Sequence, residues 1–373
     1  MTLLVILLAV LALIGLISWG KVNAFLAFLL VTIPAGFALG LGPTQVLAAV
    51  QKGLGDTLGS VALVVILGAM LGKLVADSGA AQQIAAALVG ALGPKNIQWT
   101  LMLTGFIIGV PLFYNVGFLL VMPLIFSVVY QYRLPAVYVG LPMLASLSVL
   151  HGFLPPHPAP AALVVQFGAS MGLTFVYGLL VAVPAIIIAG PLYTRTLRGI
   201  VSVPRVGLVA EPLPASALPG RANSFLSSLL PVLVLAVVLG ARAVLPAGGP
   251  LAPALAFLAD PGVVMLLSVV VATCSLGTAQ GKTIPTIMET YAAAVRDVAP
   301  ILLIIGGAGA LKEVLVASGA SQNLAAGLQG TGLPPLLLGW LIAGLIRVCL
   351  GSSTVAGLTA AGVLLPTLAH SHA

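Results

Sequence analysis

Stretches such as Thr2 to Gly20 and Pro231 to Gly240 run without a charged side chain and with hardly a polar one. A helix needs about 20 such residues to cross a bilayer, so runs of this kind belong either in lipid or deep inside protein. The charge count decides between them. Only 14 Lys or Arg and 7 Asp or Glu occur among 373 residues, whereas a soluble domain carries about 25% charged residues, roughly 93 at this length. Too few charges are present to cover a water-facing surface. A soluble enzyme, a disordered chain and a coiled coil are excluded together, and the chain reads as a polytopic membrane protein. A membrane barrel would alternate polar and apolar residues over segments of about ten. These runs are continuously apolar, so the expected fold is all-α, with room for about ten transmembrane helices.

The net charge of +7 is not a nucleic-acid signal, because the basic residues sit singly in short loops without clustered aromatics. In a membrane protein such an excess reports orientation. Cys274 and Cys349 both lie in apolar segments and read as small packing residues, with no disulfide, metal or cofactor implied. Thr2 to Gly20 lacks a basic leader and is long enough to span, so no cleavable signal is expected.

Apolar runs recur at about 2–20, 22–41, 58–76, 98–121, 136–150, 161–190, 226–245, 262–280, 298–317 and 334–366. The long polar connection, 191–224, holds Arg195, Arg198, Arg205 and Arg221 against Glu211, which places it in the cytoplasm. The expected organisation is a transmembrane half over 1–190, a cytoplasmic linker over 191–224 and a second transmembrane half over 225–373.

The halves resemble each other. SGAAQQIAAAL at Ser78–Leu88 recurs as SGASQNLAAGL at Ser318–Leu328, with seven of eleven positions identical. A shift of one residue extends the match from Asp56 onto Asp297 and from Trp99 onto Trp340, and VPLFYNVG (Val110–Gly117) falls opposite LGSSTVAG (Leu350–Gly357). Such repeats mark secondary transporters, often in inverted orientation, and inversion is the expectation here.

Three places carry helix-breaking chemistry. In Gly109–Gly117, Pro111 removes a helix hydrogen bond, next to Tyr114 and Asn115. Its repeat partner is Gly351-Ser352-Ser353-Thr354. The third is His151 to Pro160, with four prolines and two histidines between apolar runs. Broken backbone is tolerated in a bilayer only when buried in protein or lining a wet cavity, where freed amides and helix ends hold ions. Lys73, Asp77, Arg296, Asp297, Lys312, Glu313 and Arg347 interrupt the repeat region. Each costs about 2.5–3.5 kcal/mol at mid-membrane and calls for a partner or water. Asp56 and Arg296/Asp297 stand at matched positions just before a span, as boundary anchors would.

Two motifs are decoys. GTAQGKT at Gly277–Thr283 has three residues between its glycines where a phosphate loop needs four. GASMG at Gly168–Gly172 matches the serine-hydrolase pattern, but that chemistry needs a strand-to-helix elbow and a positioned base. An intramembrane hydrolase and an anion channel stand as alternatives to a carrier. A channel would show an uninterrupted polar ring rather than paired breaks.

TLGSVALVVILGAMLGKLVADSGAAQQIA, IIGVPLFYNVGFLLVMPLIF, GSSTVAGLTAAG and above all LSVLHGFLPPHPAP closely resemble the gluconate permease (GntP) family of bacterial proton symporters, over nearly the whole chain. The resemblance implies a carrier rather than an enzyme, in the bacterial cytoplasmic (inner) membrane. It would import gluconate or a related sugar acid with protons, using the proton gradient and no cofactor. It further implies re-entrant hairpins and elevator-type movement, with homo-oligomers possible and nucleic acid excluded as a partner. Family members continue for some tens of residues beyond the position equivalent to Pro366, so the chain is expected to be C-terminally short by a helix or two. An anionic polyol acid needs a cation or amide nest for its carboxylate and hydroxyl or amide partners for its alcohols. Asn115, Tyr114, Gly351, Ser352, Ser353 and Thr354 are the candidate substrate-binding residues. His151 and His157 are the candidate proton carriers, since histidine titrates near neutral pH without perturbation. The competing role for the two histidines is to staple the proline loop by hydrogen bonds.

Overall fold

The structure, a computed structural model, describes residues 2–93, 96–112, 114, 117–118, 121, 125, 128–129, 133–155, 157–197, 199–200, 213–245, 249–320, 334–350 and 353–371. Among the described residues there is no β-strand. In chain order the helices are α1 (Thr2–Ser18), α2 (Ala24–Ala38), α3 (Pro43–Asp77), α4 (Ala80–Leu92), α5 (Ile97–Gly109), α6 (Ala136–Phe153), α7 (Pro158–Gln166) and α8 (Met171–Ile187). They continue as α9 (Arg221–Val244), α10 (Ala252–Leu258), α11 (Pro261–Ala272), α12 (Ile284–Ala317), α13 (Pro335–Leu350) and α14 (Ser353–Ser371). Six helices among the described residues are long and apolar enough to cross a membrane, and five shorter apolar helices accompany them. The all-α polytopic expectation holds.

Local chemistry starts and stops these helices. Asn23 caps α2, its Oδ1 accepting from the backbone N–H of Phe25 (3.0 Å) and Leu26 (3.3 Å). Asp260 caps α11 through Gly262 (2.9 Å) and Val263 (3.2 Å), and Pro261 follows where its missing N–H is harmless. The apolar run 161–190 is two helices rather than one: α7 ends before Gly168 at φ 59°, and Ser170 caps α8 through Leu173 N (3.4 Å). The serine of the GASMG decoy is therefore a helix cap. Along α8, Leu173, Val176, Leu180 and Val181 are exposed, an outward apolar face suited to lipid.

α3 and α12 are longer than their apolar runs, at 35 and 34 residues. Polar residues such as Lys52 and Asp56 obscured the first turns of α3 in the sequence. On the helix they are an i,i+4 ion pair at 3.2 Å, which a helix accommodates readily.

The chain forms two compact units, and each takes one end of α3 and the opposite end of α12. The first contains 1–63, 158–169 and 299–373. Here Val46, Ala49 and Val50 of α3 pack on Ala310 and Val314 of α12, while Ile14 of α1 meets Ile346 of α13 and Ala356 of α14. Lys52 pairs with Glu313, Gly53 and Thr57 meet Gly309, and Leu54 and Leu58 meet Gly306. Numbers rise along α3 as they fall along α12, so the two helices run antiparallel. Gly53 and Gly309 are required at the crossing, because a Cβ on either would run into the other's backbone, the small-residue device of membrane helix packing. α13 and α14 form a hairpin: a Cβ on Gly339 would stand 2.8 Å from Leu364 Cδ1, and these positions are nearly equidistant from the break at 351–352.

The second unit contains 64–157 and 170–298. Its centre is α5 against α6, brought close by Gly105 on the Met143 backbone and Gly109 on Leu147 and Leu150. Ser146 Oγ donates to Met102 O at 2.9 Å. Gln98 Nε2 ties this pair to Tyr138 O (3.2 Å) and Thr194 Oγ1 (2.8 Å).

The Ser-Gly-Ala turn of the two repeats agrees in atomic detail. In the second unit Ser78 N donates to Leu74 O (2.9 Å), Ser78 Oγ bonds Val75 O (3.2 Å), Ala80 N donates to Ser78 Oγ (3.3 Å), and Gly79 has φ 79°. In the first unit Ser318 N donates to Val314 O (3.0 Å), Ser318 Oγ bonds Leu315 O (3.1 Å), Ala320 N donates to Ser318 Oγ (3.4 Å), and Gly319 has φ 69°. The rest of the second motif, 321–328, lies outside the described residues. Because α3 and α12 are repeat-equivalent yet antiparallel, their geometry is the one inverted repeats produce.

Candidate functional site

α5 stops at Gly109, before Val110-Pro111, and a helix C-terminus leaves carbonyls without intrahelical partners. His157 supplies one partner. Its Nε2 lies 2.9 Å from Gly109 O, and since a carbonyl only accepts, Nε2 carries the proton and donates. His157 is 2% exposed, and its backbone N–H bonds Leu154 O at 3.1 Å. The His151 ring, from the last turn of α6, sits edge-on at 5.1 Å from that of His157. The proline loop and the end of α5 are thus joined through one imidazole. On the other side of the break, Pro111 O approaches α3 at Gly72, where a Cβ would stand only 2.6 Å from it.

Tyr114 is half-buried, its ring 6.1 Å from that of Phe118. At the second break α14 begins with Ser353, half-buried, and Thr354, buried. Asn115, Gly351 and Ser352 lie outside the described residues.

Glu313, Lys73 and Asp297 each sit in an ion pair. In the first unit Lys52 Nζ binds Glu313 Oε1 at 2.8 Å and Asp56 Oδ2 at 3.2 Å. In the second, Lys73 Nζ lies 3.9 Å from Asp297 Oδ2, and Lys282 Nζ donates to Asp77 O at 2.9 Å. Lys73 and Glu313 are repeat-equivalent, as are Asp56 and Asp297; Lys73 pairs directly with Asp297, whereas Glu313 and Asp56 share Lys52. Sequence reasoning missed Gly72 and the Gly109 carbonyl as parts of the site. Neither carries a side-chain signal, and only their repeat position hinted at them. Among the described residues no three His, Cys, Asp or Glu side chains group as a metal site.

The sequence model described as GntP family permease matches residues 1–373. This chain belongs to the GntP permease family. It is 42% identical over 370 residues to the high-affinity gluconate transporter of Escherichia coli K12, covering 99% of this chain and 84% of that one. It is 41% identical over 354 residues to the Gnt-II system L-idonate transporter of the same organism, covering 95% and 81%. Among solved structures, the Alcanivorax borkumensis YdaH transporter shares the fold with a TM-score of 0.65 at 19% identity, over 93% of this chain and 82% of that one. With its long apolar helices, this member of the GntP family is a multi-pass protein of the bacterial inner membrane.

Proposed function

We propose that this chain is a secondary carrier that imports gluconate or a related sugar acid by proton symport, with elevator-type alternating access. The observation that carries the reading is the near full-length identity to a gluconate transporter and an L-idonate transporter. The paired breaks at repeat-equivalent positions support it. A carrier must expose one site to two sides in turn, and inverted repeats supply two near-isoenergetic arrangements for that. Tyr114, Asn115 and the run Gly351, Ser352, Ser353, Thr354 are the groups to which we assign substrate binding. His151 and His157 remain the proposed proton carriers. The bond from His157 to Gly109 O ties such a carrier mechanically to the first break, so that a change of its charge would be felt there.

The test is uptake in proteoliposomes with a panel of sugar acids under an imposed proton gradient. Accumulation of gluconate or a close relative, driven by an inward gradient and abolished by a protonophore, is expected. Uptake of none of the panel, or accumulation indifferent to the gradient, refutes the reading. Replacing both histidines by Gln should abolish acid-driven accumulation but leave exchange of loaded substrate, because Gln hydrogen-bonds without titrating near neutral pH. Undiminished accumulation would shift the coupling role to the carboxylates.

A further inference from the structure

Lys312 stands in the apolar second half of α12, half-buried. Its neighbour Glu313 is taken by Lys52, and Lys52 also holds Asp56. Among the described residues no carboxylate lies within ion-pair distance of Lys312. Its Cβ faces α14 at Gly362, where an added Cβ would lie 3.5 Å away. One turn earlier on that helix, about 5–6 Å off on the same side, is Thr359. It is fully buried, and its hydroxyl has no hydrogen-bond partner among the described residues. A buried hydroxyl left unmade costs about 1–3 kcal/mol, and an ammonium at membrane depth costs at least as much. Two such costs within about one helical turn of the Lys312–Gly362 contact call for a shared ligand.

We infer that Lys312 and Thr359 form a carboxylate subsite, the ammonium and the hydroxyl together holding the acid group of the substrate. The inference rests on the sugar-acid reading above and names the charge-recognising part of that site. Lysine suits the role as a compact point charge on a flexible four-carbon stem, able to span the one turn to Thr359. A neutral polyol of the same shape lacks the group these two residues would hold.

The experiment measures binding of labelled gluconate to the purified full-length chain and its displacement by gluconamide, the uncharged analogue. Wild type should prefer gluconate, and Lys312→Gln should weaken gluconate about tenfold, the worth of one charge-assisted hydrogen bond. Gluconamide affinity should stay within about twofold in that variant, since no full hydrogen bond is lost to it. Lys312→Arg should recover part of the preference, and Thr359→Val should weaken gluconate about threefold. A Lys312→Gln protein that keeps the wild-type preference overturns the subsite while leaving sugar-acid transport standing. Wild type that binds no sugar acid overturns the functional reading, and the subsite with it. Should the Gln variant not fold, unchanged gluconate affinity in both Lys312→Arg and Thr359→Val overturns the subsite.

Discussion

The crossing of α3 and α12 in the first unit can be tested with two glycines on the same helix. At Gly55 an added methyl meets nothing within 4 Å, so Gly55→Ala should stabilise by about 0.5–1 kcal/mol through the lower entropy of the unfolded backbone. At Gly53 the same methyl lands on the Gly309 carbonyl oxygen, with Glu313 Cβ at 2.7 Å and Gly309 C at 2.8 Å. Non-bonded carbon atoms rest at about 3.5–4.0 Å, and two of these three obstacles are backbone that cannot rotate away. Overpacking of this kind costs about 1–3 kcal/mol. The propensity gain is common to both substitutions, so the clash is the difference between them, about a 5- to 150-fold change in the folded population. The assay is reversible unfolding in mixed micelles titrated with a denaturing detergent, followed by tryptophan fluorescence. If Gly53→Ala proves as stable as Gly55→Ala, the close antiparallel crossing is wrong, and with it the geometric support for inverted repeats.

Two further outcomes are expected in the same assay. His157→Ala should destabilise by about 1–3 kcal/mol, because it strands the buried Gly109 carbonyl, and His157→Gln should recover part of the loss; equal stability of the Ala variant and wild type would remove the stapling role. A double-mutant cycle of Lys52→Met and Glu313→Gln should show favourable coupling, since the pair at 2.8 Å joins residues 261 apart in sequence, and zero coupling would leave that contact without energetic weight.

The repeat was legible because its signature is local. Ser78-Gly79-Ala80 and Ser318-Gly319-Ala320 specify one turn twice, through a serine hydroxyl and a glycine at positive φ. Pro111 and the Gly351–Thr354 run likewise announce breaks through backbone chemistry alone. The first half of α3 was not legible: Asp56 reads as an anchor just before a span until its helical partner Lys52, and Glu313 of α12 on the same lysine, are in view. The reach of His157 was also hidden. The sequence shows a histidine among prolines, but nothing in it names the carbonyl 48 residues earlier that the imidazole takes.

By itself the sequence determined that this chain lives in a bilayer, that it is helical, that it is built twice and where its helices break. All of these follow from scarcity of charge and from backbone chemistry acting within a few residues. Only the tertiary structure decided that α3 and α12 cross antiparallel through Gly53 and Gly309, that Lys52 is shared by two carboxylates, and that Lys312 meets Gly362 of α14. Those are contacts between segments far apart in the chain. Hydropathy and periodicity describe each segment's own face, and which faces meet is set by the packing of the whole.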